Sequence, residues 1–212
     1  MENIRIKFSK TGNAKYISHL DLNRFFQRIF KRSEVPVWVT EGFNPHIYLH
    51  FLLPLSLGTE SISEFVDCKI TEEMEYSEIK KRINNVLPQG FSVLAVSAPI
   101  EKTEKIAFCR YELEFPETPK EKLLAFLEKE KIEVLKKTKR KEYIVDLKAE
   151  MKEASLLEKK EGSMLSLILP ATENRSINPD LLVTALSEHL KEEVFCRIKR
   201  TGVLKEDLTD FN

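Results

Sequence analysis

Apolar and polar residues alternate strictly over residues 4–9, Ile-Arg-Ile-Lys-Phe-Ser. This period of two predicts a strand with one apolar face and one basic, polar face. The period then changes to that of a helix from about His19 to Arg32, with Ser18 and Asp21 spaced as a capping pair. The apolar face of this helix consists of Leu22, Phe25, Phe26, Ile29 and Phe30, and its basic face of Arg24, Arg28, Lys31 and Arg32.

The same patterns predict the remaining elements of the first half. Strands are expected over residues 35–40, 63–70 and 91–98, with a helix over 76–86. The resulting order, strand-helix-strand-strand-helix-strand, is typical of ferredoxin-like units. The second half repeats this order with an additional strand or hairpin in the middle. We therefore expect an α+β fold of two tandem ferredoxin-like (βαββαβ) units with antiparallel sheets.

The boundary between the two units is predicted near residues 99–106, where proline and charged residues interrupt the apolar pattern. The N-terminal unit then covers residues 1–100 and carries the polar segments described below. The C-terminal unit covers residues 106–212 and contains the extra hairpin. A chain of 212 residues has the length for two such units.

Composition limits the classes of function. The formal net charge is zero although 32% of the residues are charged, so a nucleic-acid footprint must be local. No apolar run approaches the ~20 residues that span a bilayer, and we expect no membrane partner. The three cysteines are scattered, which favours reduced thiols in a cytoplasmic protein. Because zinc and iron–sulfur spacings are absent, we predict no metal site and no cofactor.

Two polar segments follow strand-like runs. The first polar segment is Phe8-Ser-Lys-Thr-Gly-Asn-Ala-Lys-Tyr-Ile-Ser-His-Leu-Asp21, and the second polar segment is Glu41-Gly-Phe-Asn-Pro-His46. Turns with such side chains are common binding sites. Because both segments follow strands of the same unit, we expect them to meet at one edge of the N-terminal sheet. The residues predicted to bind there are Lys7, Ser9, Lys10, Thr11, Lys15, His19, Glu41, Asn44 and His46.

The turn around Gly12 has two interpretations. Gly12 and Asn13 tolerate positive φ and could direct amide N–H groups at an anion. A Walker phosphate loop requires a second glycine and a following Lys-Ser or Lys-Thr, which this turn lacks. An ordinary strand-to-helix turn is the favoured interpretation.

Basic residues suggest RNA as a partner. Arg24 and Arg28 on the first helix could neutralise phosphates, and Arg200 on the last strand could add to the same surface. The alternative is a helix face that is simply solvated. The densest basic run, residues 136–141, lies where a hairpin turn is expected and is interpreted as a solvated tip.

Histidines offer the one route to catalysis that the sequence suggests. His19 and His46 could meet in space and form an acid/base pair with Asp21 or Glu41. The alternative interpretation assigns His19 to a helix start and His46 to a turn, and we predict no catalytic residue.

Four motifs together resemble the bacterial radical SAM-linked protein family. They are Phe8–Gly12, Ile17–Leu22, Glu41–His46 and Leu55–Glu60, and the tail Ile198–Gly202 also fits. The resemblance implies a module of unknown function that occurs alone or C-terminal to a radical SAM enzyme, and hence such an enzyme as partner. Family members commonly place proline and a basic residue after Asn-Pro-His, where this chain has Ile47 and Tyr48.

These observations predict an accessory protein without catalytic activity of its own, which binds RNA or presents a substrate to a radical SAM modification enzyme. One alternative is an RNA-processing endoribonuclease that uses histidine acid/base chemistry. Another is a module that only binds proteins. Binding to RNA that weakens with salt distinguishes the first two functions from the third.

Overall fold

The computed structural model describes residues 1–137, 142–172 and 175–212. The chain divides into two compact units, one of Met1–Lys105 with Asn212 and one of Ile106–Phe211. The boundary at residues 105 and 106 lies at the end of the segment in which proline and charge interrupt the apolar pattern. Each unit contains antiparallel sheet and helices, so the protein has a mixed α and β fold.

The first unit has the element order strand-helix-strand-strand-helix-strand. Its elements are β1 (Glu2–Lys10), α1 (His19–Ser33), β2 (His50–Phe51), β3 (Glu60–Ile70), α2 (Tyr76–Val86) and β4 (Phe91–Ser97). A 3-10 turn over Gly12–Tyr16 joins β1 to α1. Strand β1 lies between β4 and β3, β2 pairs with the other side of β3, and all of these pairings are antiparallel.

The core of the first unit follows from the alternation in β1. Ile4, Ile6 and Phe8 are fully buried and pack with the apolar residues of α1 and α2 in one cluster. Phe8 and Phe26 of α1 have ring centroids 4.8 Å apart. Burying one such side chain contributes about 1.5–3 kcal/mol, which fixes α1 against the sheet. The helix predicted over residues 19–32 therefore forms almost as the sequence indicated.

Residues 35–57 differ from the prediction. The strand expected over residues 35–40 is reduced to isolated bridges from Val37 to Ile70 and from Val39 to Ile47. The apolar run that follows contributes only the two residues of β2. Pro36, Pro45 and Pro54 have no backbone N–H to donate, so a continuous ladder cannot form through this segment.

The outer edge of β4 is covered by side chains of α2. The Asn84 amide donates to the Val93 carbonyl oxygen at 3.1 Å and accepts from the Val93 N–H at 2.8 Å, as a neighbouring strand would. The Lys80 ammonium donates to the carbonyl of Leu94 at 2.8 Å. These bonds satisfy the exposed backbone groups at which another chain could pair with the sheet.

The second unit contains one larger sheet and a separate hairpin. Its strands are β5 (Phe108–Phe115), β6 (Glu133–Lys137), β7 (Glu142–Asp146), β8 (Lys152–Glu158), β9 (Ser163–Pro170) and β10 (Arg197–Leu204). Its helices are α3 (Lys120–Leu127), α4 (Leu147–Glu150) and α5 (Asp180–Leu190). The larger sheet has the order β10-β5-β9-β8, and β6 pairs with β7. Within the described part of the chain, no helix has the length and apolar character needed to cross a membrane.

Candidate functional site

The first polar segment connects the end of β1 to the start of α1. The Thr11 N–H donates to the carbonyl of Gly90 at 2.8 Å, which ties the turn to the start of β4. Gly12 has φ +57, a left-handed conformation that favours glycine. The turn is therefore held by this backbone hydrogen bond and by Gly12, for which the sequence had indicated tolerance of positive φ.

Lys10 is a structural residue of this turn. Its side chain is 2% exposed, and the ammonium donates to the carbonyl of Ile17 at 2.7 Å and to that of Lys15 at 3.4 Å. Burial lowers the pKa of the Lys10 ammonium below its usual value, and the negative charge of Glu64 opposes part of this change. The prediction that Lys10 reaches an external ligand does not agree with this burial, because its donors are directed at the protein's own carbonyls.

Replacing Lys10 with methionine is expected to destabilise the protein by about 1–3 kcal/mol, because the Ile17 carbonyl loses a charged donor. The pKa of Lys10 is lower in the folded protein than in the unfolded chain. As the pH approaches 10.5, the unfolded state therefore keeps more protons bound than the folded state does. Wild type should therefore gain stability relative to Lys10→Met over that range. Urea denaturation at several pH values measures this difference, and the exposed Lys81→Met should show none of it.

Glu60 occupies the position that an anion would take in the less favoured interpretation of this turn. Its carboxylate accepts from the Gly12 N–H at 3.2 Å and lies 3.9 Å from the Lys15 ammonium. The Gly58 N–H donates to the Lys15 carbonyl at 3.0 Å, so residues 55–60 close over the turn. The protein's own carboxylate thus takes the place of the phosphate in the anion-binding interpretation.

Ser18, His19 and Asp21 have structural roles at the start of α1. The Ser18 hydroxyl accepts from the Asp21 N–H at 3.2 Å and donates to the Asp21 carboxylate at 2.7 Å, which is the capping arrangement that the sequence predicted. Arg24 lies 3.4 Å from the same carboxylate. The exposed His19 ring meets the edge of Phe51 at a centroid distance of 5.4 Å. His19 therefore has a packing role at the helix start.

The second polar segment forms a closed loop. The Thr40 N–H donates to the His46 carbonyl at 2.8 Å, and the His46 N–H donates to the Thr40 hydroxyl at 3.1 Å. The Nδ1 atom of His46 lies 3.0 Å from the Asn44 carbonyl and 3.2 Å from the Thr40 hydroxyl. Glu41 and Asn44 are exposed. The ring of His46 is used to hold the loop.

The two polar segments attach to opposite ends of β3. Lys10, in the first polar segment, pairs with Ser61 near the start of β3. Trp38, just before the second polar segment, donates from its N–H to the carbonyl of Lys69 near the end of β3. Ser61 and Lys69 are separated by about 26 Å along an extended strand. The acid/base pairing of His19 with His46 stays a prediction, whereas the expectation of one composite site does not agree with these attachment points. The sheet pairing, which local patterns do not encode, is the reason.

The other residues predicted to bind are mostly engaged within the fold. Ser9 and Arg200 are buried, and the Lys7 ammonium lies 5.5 Å from the centroid of the Phe65 ring. The Arg200 guanidinium lies against Tyr111 and donates to its hydroxyl at 3.3 Å. Burial of Arg200 contradicts its predicted place on an exposed basic surface. Half-buried Thr11 and Lys15 belong to the turn already described.

The basic face of α1 stays accessible. Arg24, Arg28, Lys31 and Arg32 are all exposed on the helix. Residues 22–33 contain no Asp or Glu, and the nearest acidic residues in the sequence are Asp21, near Arg24, and Glu34 at the end of the helix. Of the basic run over residues 136–141, Lys136 and Lys137 lie in β6, and residues 138–141 lie outside the described residues.

Two surface cavities of the second unit were not anticipated from the sequence. One of about 480 Å³ is lined by Leu124, Leu127, Met151 and Leu156 among other residues. The other, of about 410 Å³, is lined by residues that include Glu117, Asp180, Glu193, Phe195 and Cys196. Their residues come from separate elements, so no local motif could have shown them.

Cys68 and Cys196 have little nucleophilic character. Burial raises the pKa of the Cys68 thiol to about 12. Burial, together with the negative charges of Asp180 and Glu114, also raises the pKa of the Cys196 thiol. A thiol with a raised pKa holds little thiolate at neutral pH. Over the described ranges, His, Cys, Asp and Glu side chains do not gather in groups of three or more that could hold a metal ion.

Comparisons with known proteins identify the family and bear on the fold. No curated protein matches this chain. A chain of a crystal structure of a Cbf5-Nop10-Gar1 complex resembles it with a TM-score of 0.51 at 11% sequence identity. The likeness covers 96% of this chain and 50% of that one, so the protein spans about half the length of this structural neighbour. At this identity the likeness concerns the fold alone. Residues 3–179 match the model of DUF2344, described as an uncharacterized protein conserved in bacteria, and the chain therefore belongs to that family.

Proposed function

We propose that this protein is an RNA-binding accessory module, without catalytic activity of its own, that serves a radical SAM enzyme. The observation that carries the RNA part is the exposed basic face of α1. The radical SAM part rests on the four sequence motifs that resemble the radical SAM-linked family. The cytoplasm, where RNA modification takes place, is the compartment that fits this function.

The geometry of α1 suits a phosphate backbone. Arg24, Arg28 and Arg32 are each four residues apart, so their side chains follow one side of the helix at a rise of about 6 Å per step. Lys31 widens this face. The buried residues of the same helix, including Phe26 and Phe30, hold the backbone against the core. A row of positive charges on a fixed helix binds phosphates without ordering a flexible segment.

An accessory role fits the chemistry of the polar segments. Lys10 and Lys15, which were predicted to bind a ligand, and His46, a candidate for acid/base chemistry, are bound to groups of the protein itself. The three cysteines are far apart in sequence, unlike the clustered cysteines that hold an iron–sulfur cluster. The redox chemistry is therefore assigned to the partner enzyme.

We also propose that each unit is ferredoxin-like. The strand order β4-β1-β3-β2 of the first unit and β10-β5-β9-β8 of the second support this classification, with β6 and β7 as the inserted hairpin. Ferredoxin-like units host many activities, so the fold does not by itself argue for RNA.

The test of RNA binding is the triple variant Arg28→Gln/Lys31→Gln/Arg32→Gln. Loss of three phosphate contacts should lower the slope of log affinity against log salt by about 2 to 3, and the affinity by about 10- to 100-fold. Fluorescence anisotropy with a labelled transfer RNA, repeated over a salt titration, measures both quantities.

The matched control is Lys81→Gln/Lys159→Gln/Lys160→Gln, which removes the same charge from exposed residues elsewhere. This control should keep the wild-type salt slope. Equal slopes for the two triple variants would contradict the proposal that α1 is the RNA-binding face.

A further inference from the structure

The second polar segment presents one aromatic side chain on a fixed loop. Phe43 is 104% exposed relative to an extended reference, so its ring contacts essentially nothing in its own chain. The hydrogen bonds between Thr40 and His46 close the loop beneath it, and Ile47 is buried at the base. Gly42, with φ +129, supplies the backbone turn that precedes Phe43. The loop is thus held while its tip is directed into solvent.

The segment that carries Phe43 is largely apolar and contains little charge of its own, and the Lys69 ammonium of β3 lies 5.2 Å from the centroid of its Trp38 ring. Val39 and Tyr48, on the two arms of the loop, are 43% and 48% exposed. Between Val35 and Leu57 the sequence contains one charged residue, Glu41, in a chain that is 32% charged. Aromatic enrichment with depletion of charge distinguishes the centre of a protein–protein interface from ordinary surface.

We propose that Phe43 is an anchor that inserts into an apolar pocket of a partner protein. Transfer of a fully exposed aromatic ring from water into an apolar pocket is favourable. Buried aromatic residues often supply a large share of the binding free energy of an interface. Because the loop is already closed, little conformational freedom is lost on binding. The nearby Glu41 favours a pocket with a basic residue at its rim.

The charge of the loop argues against the other classes of occupant. RNA binding by an aromatic residue is normally accompanied by basic residues that follow the backbone, and residues 35–57 contain no Lys or Arg. Anionic lipid surfaces also attract basic segments and would repel Glu41. An apolar protein pocket can enclose the Phe43 ring without contacts to phosphates or lipid headgroups, so a protein is the partner that fits this loop. This surface is additional to the basic face of α1, and its role does not depend on RNA binding.

The experiment places the photo-crosslinker benzoylphenylalanine at position 43 and, as the control, at position 195. Phe195 is the other exposed phenylalanine within the described residues, at 54%. After irradiation in native cells, a protein adduct specific to position 43 is identified and that protein is purified. Calorimetry then compares its binding to wild type, Phe43→Ala, Phe43→Trp and Phe195→Ala.

We expect Phe43→Ala to weaken binding of the purified partner by about 30-fold, the scale of a hot-spot residue. Phe43→Trp should retain most of the affinity, and Phe195→Ala should bind as wild type does. Melting temperatures should be equal for wild type and Phe43→Ala, because the exposed ring makes no packing contact to lose.

Several results would overturn the proposal. They are a position-43 adduct that is sensitive to ribonuclease, flotation with phosphatidylcholine/phosphatidylglycerol vesicles that depends on Phe43, and self-association of the purified chain that Phe43→Ala abolishes. Absence of a protein adduct above the level at position 195 would also overturn it. So would a purified partner that binds Phe43→Ala and wild type equally well.

Discussion

Replacing Gly162 with alanine is expected to destabilise the second unit by more than about 3 kcal/mol. Gly162 has φ +75, and a Cβ atom built on it would lie 1.9 Å from the Phe115 carbonyl oxygen and 2.6 Å from the backbone of Pro116. Ser163, the next residue, pairs with Phe115, so the overlap cannot be relieved without shifting β9 against β5. Urea denaturation followed by circular dichroism measures the loss.

Gly58→Ala is the matched control for this prediction. Gly58 has a similar φ of +85, but a Cβ atom there would meet nothing within 4 Å. Its cost should be limited to the backbone strain of about 1 kcal/mol. If the two alanine variants lost the same stability, steric overlap at Gly162 would not be the cause.

Replacing Arg5 with methionine is expected to destabilise the first unit by about 3 kcal/mol. The Arg5 guanidinium is 3% exposed and donates to the two carboxylate oxygens of Asp67 at 2.8 and 2.9 Å. It also donates to the Glu101 carbonyl at 2.9 Å. The substitution leaves the Asp67 carboxylate without this partner in a site where its side chain is only 22% exposed. Fluorescence of Trp38, the single tryptophan, reports unfolding of this unit.

The double variant Arg5→Met/Asp67→Met separates the cost of the unpaired carboxylate from that of lost packing. Removing both charges should recover part of the stability, because replacing a whole buried ion pair costs less than breaking it. A double variant less stable than Arg5→Met alone would show that the Asp67 carboxylate is not the source of the loss.

Helix α1 shows what local sequence can predict. Five apolar residues at helical spacing and the Ser18–Asp21 pair indicated a helix over residues 19–32, and the helix covers His19–Ser33. Both signals act within one or two turns, where a residue's neighbours in sequence are also its neighbours in space. The alternation in β1 was predictable for the same reason.

The segment over residues 35–57 shows where such reasoning fails. Its first residues indicated a strand over 35–40, but most of the segment has no continuous partner on β3. Strand formation depends on a neighbour that lies far away in sequence, and prolines at 36, 45 and 54 remove donors that a ladder needs. The exposure of Phe43 could not be predicted, since a phenylalanine side chain is normally expected in the core.

Local sequence patterns were enough to predict the elements with a regular period, the turn at Gly12, the cap of α1 and the basic face of that helix. Which charged groups remain available for binding depends on the packing of the whole fold. Lys10 and Lys15 appear in the sequence as two lysines of a polar turn, but one is buried against the Ile17 carbonyl and the other faces Glu60. Availability of a polar side chain depends on partners distant in the sequence, because burial and hydrogen bonding are set by the packed fold.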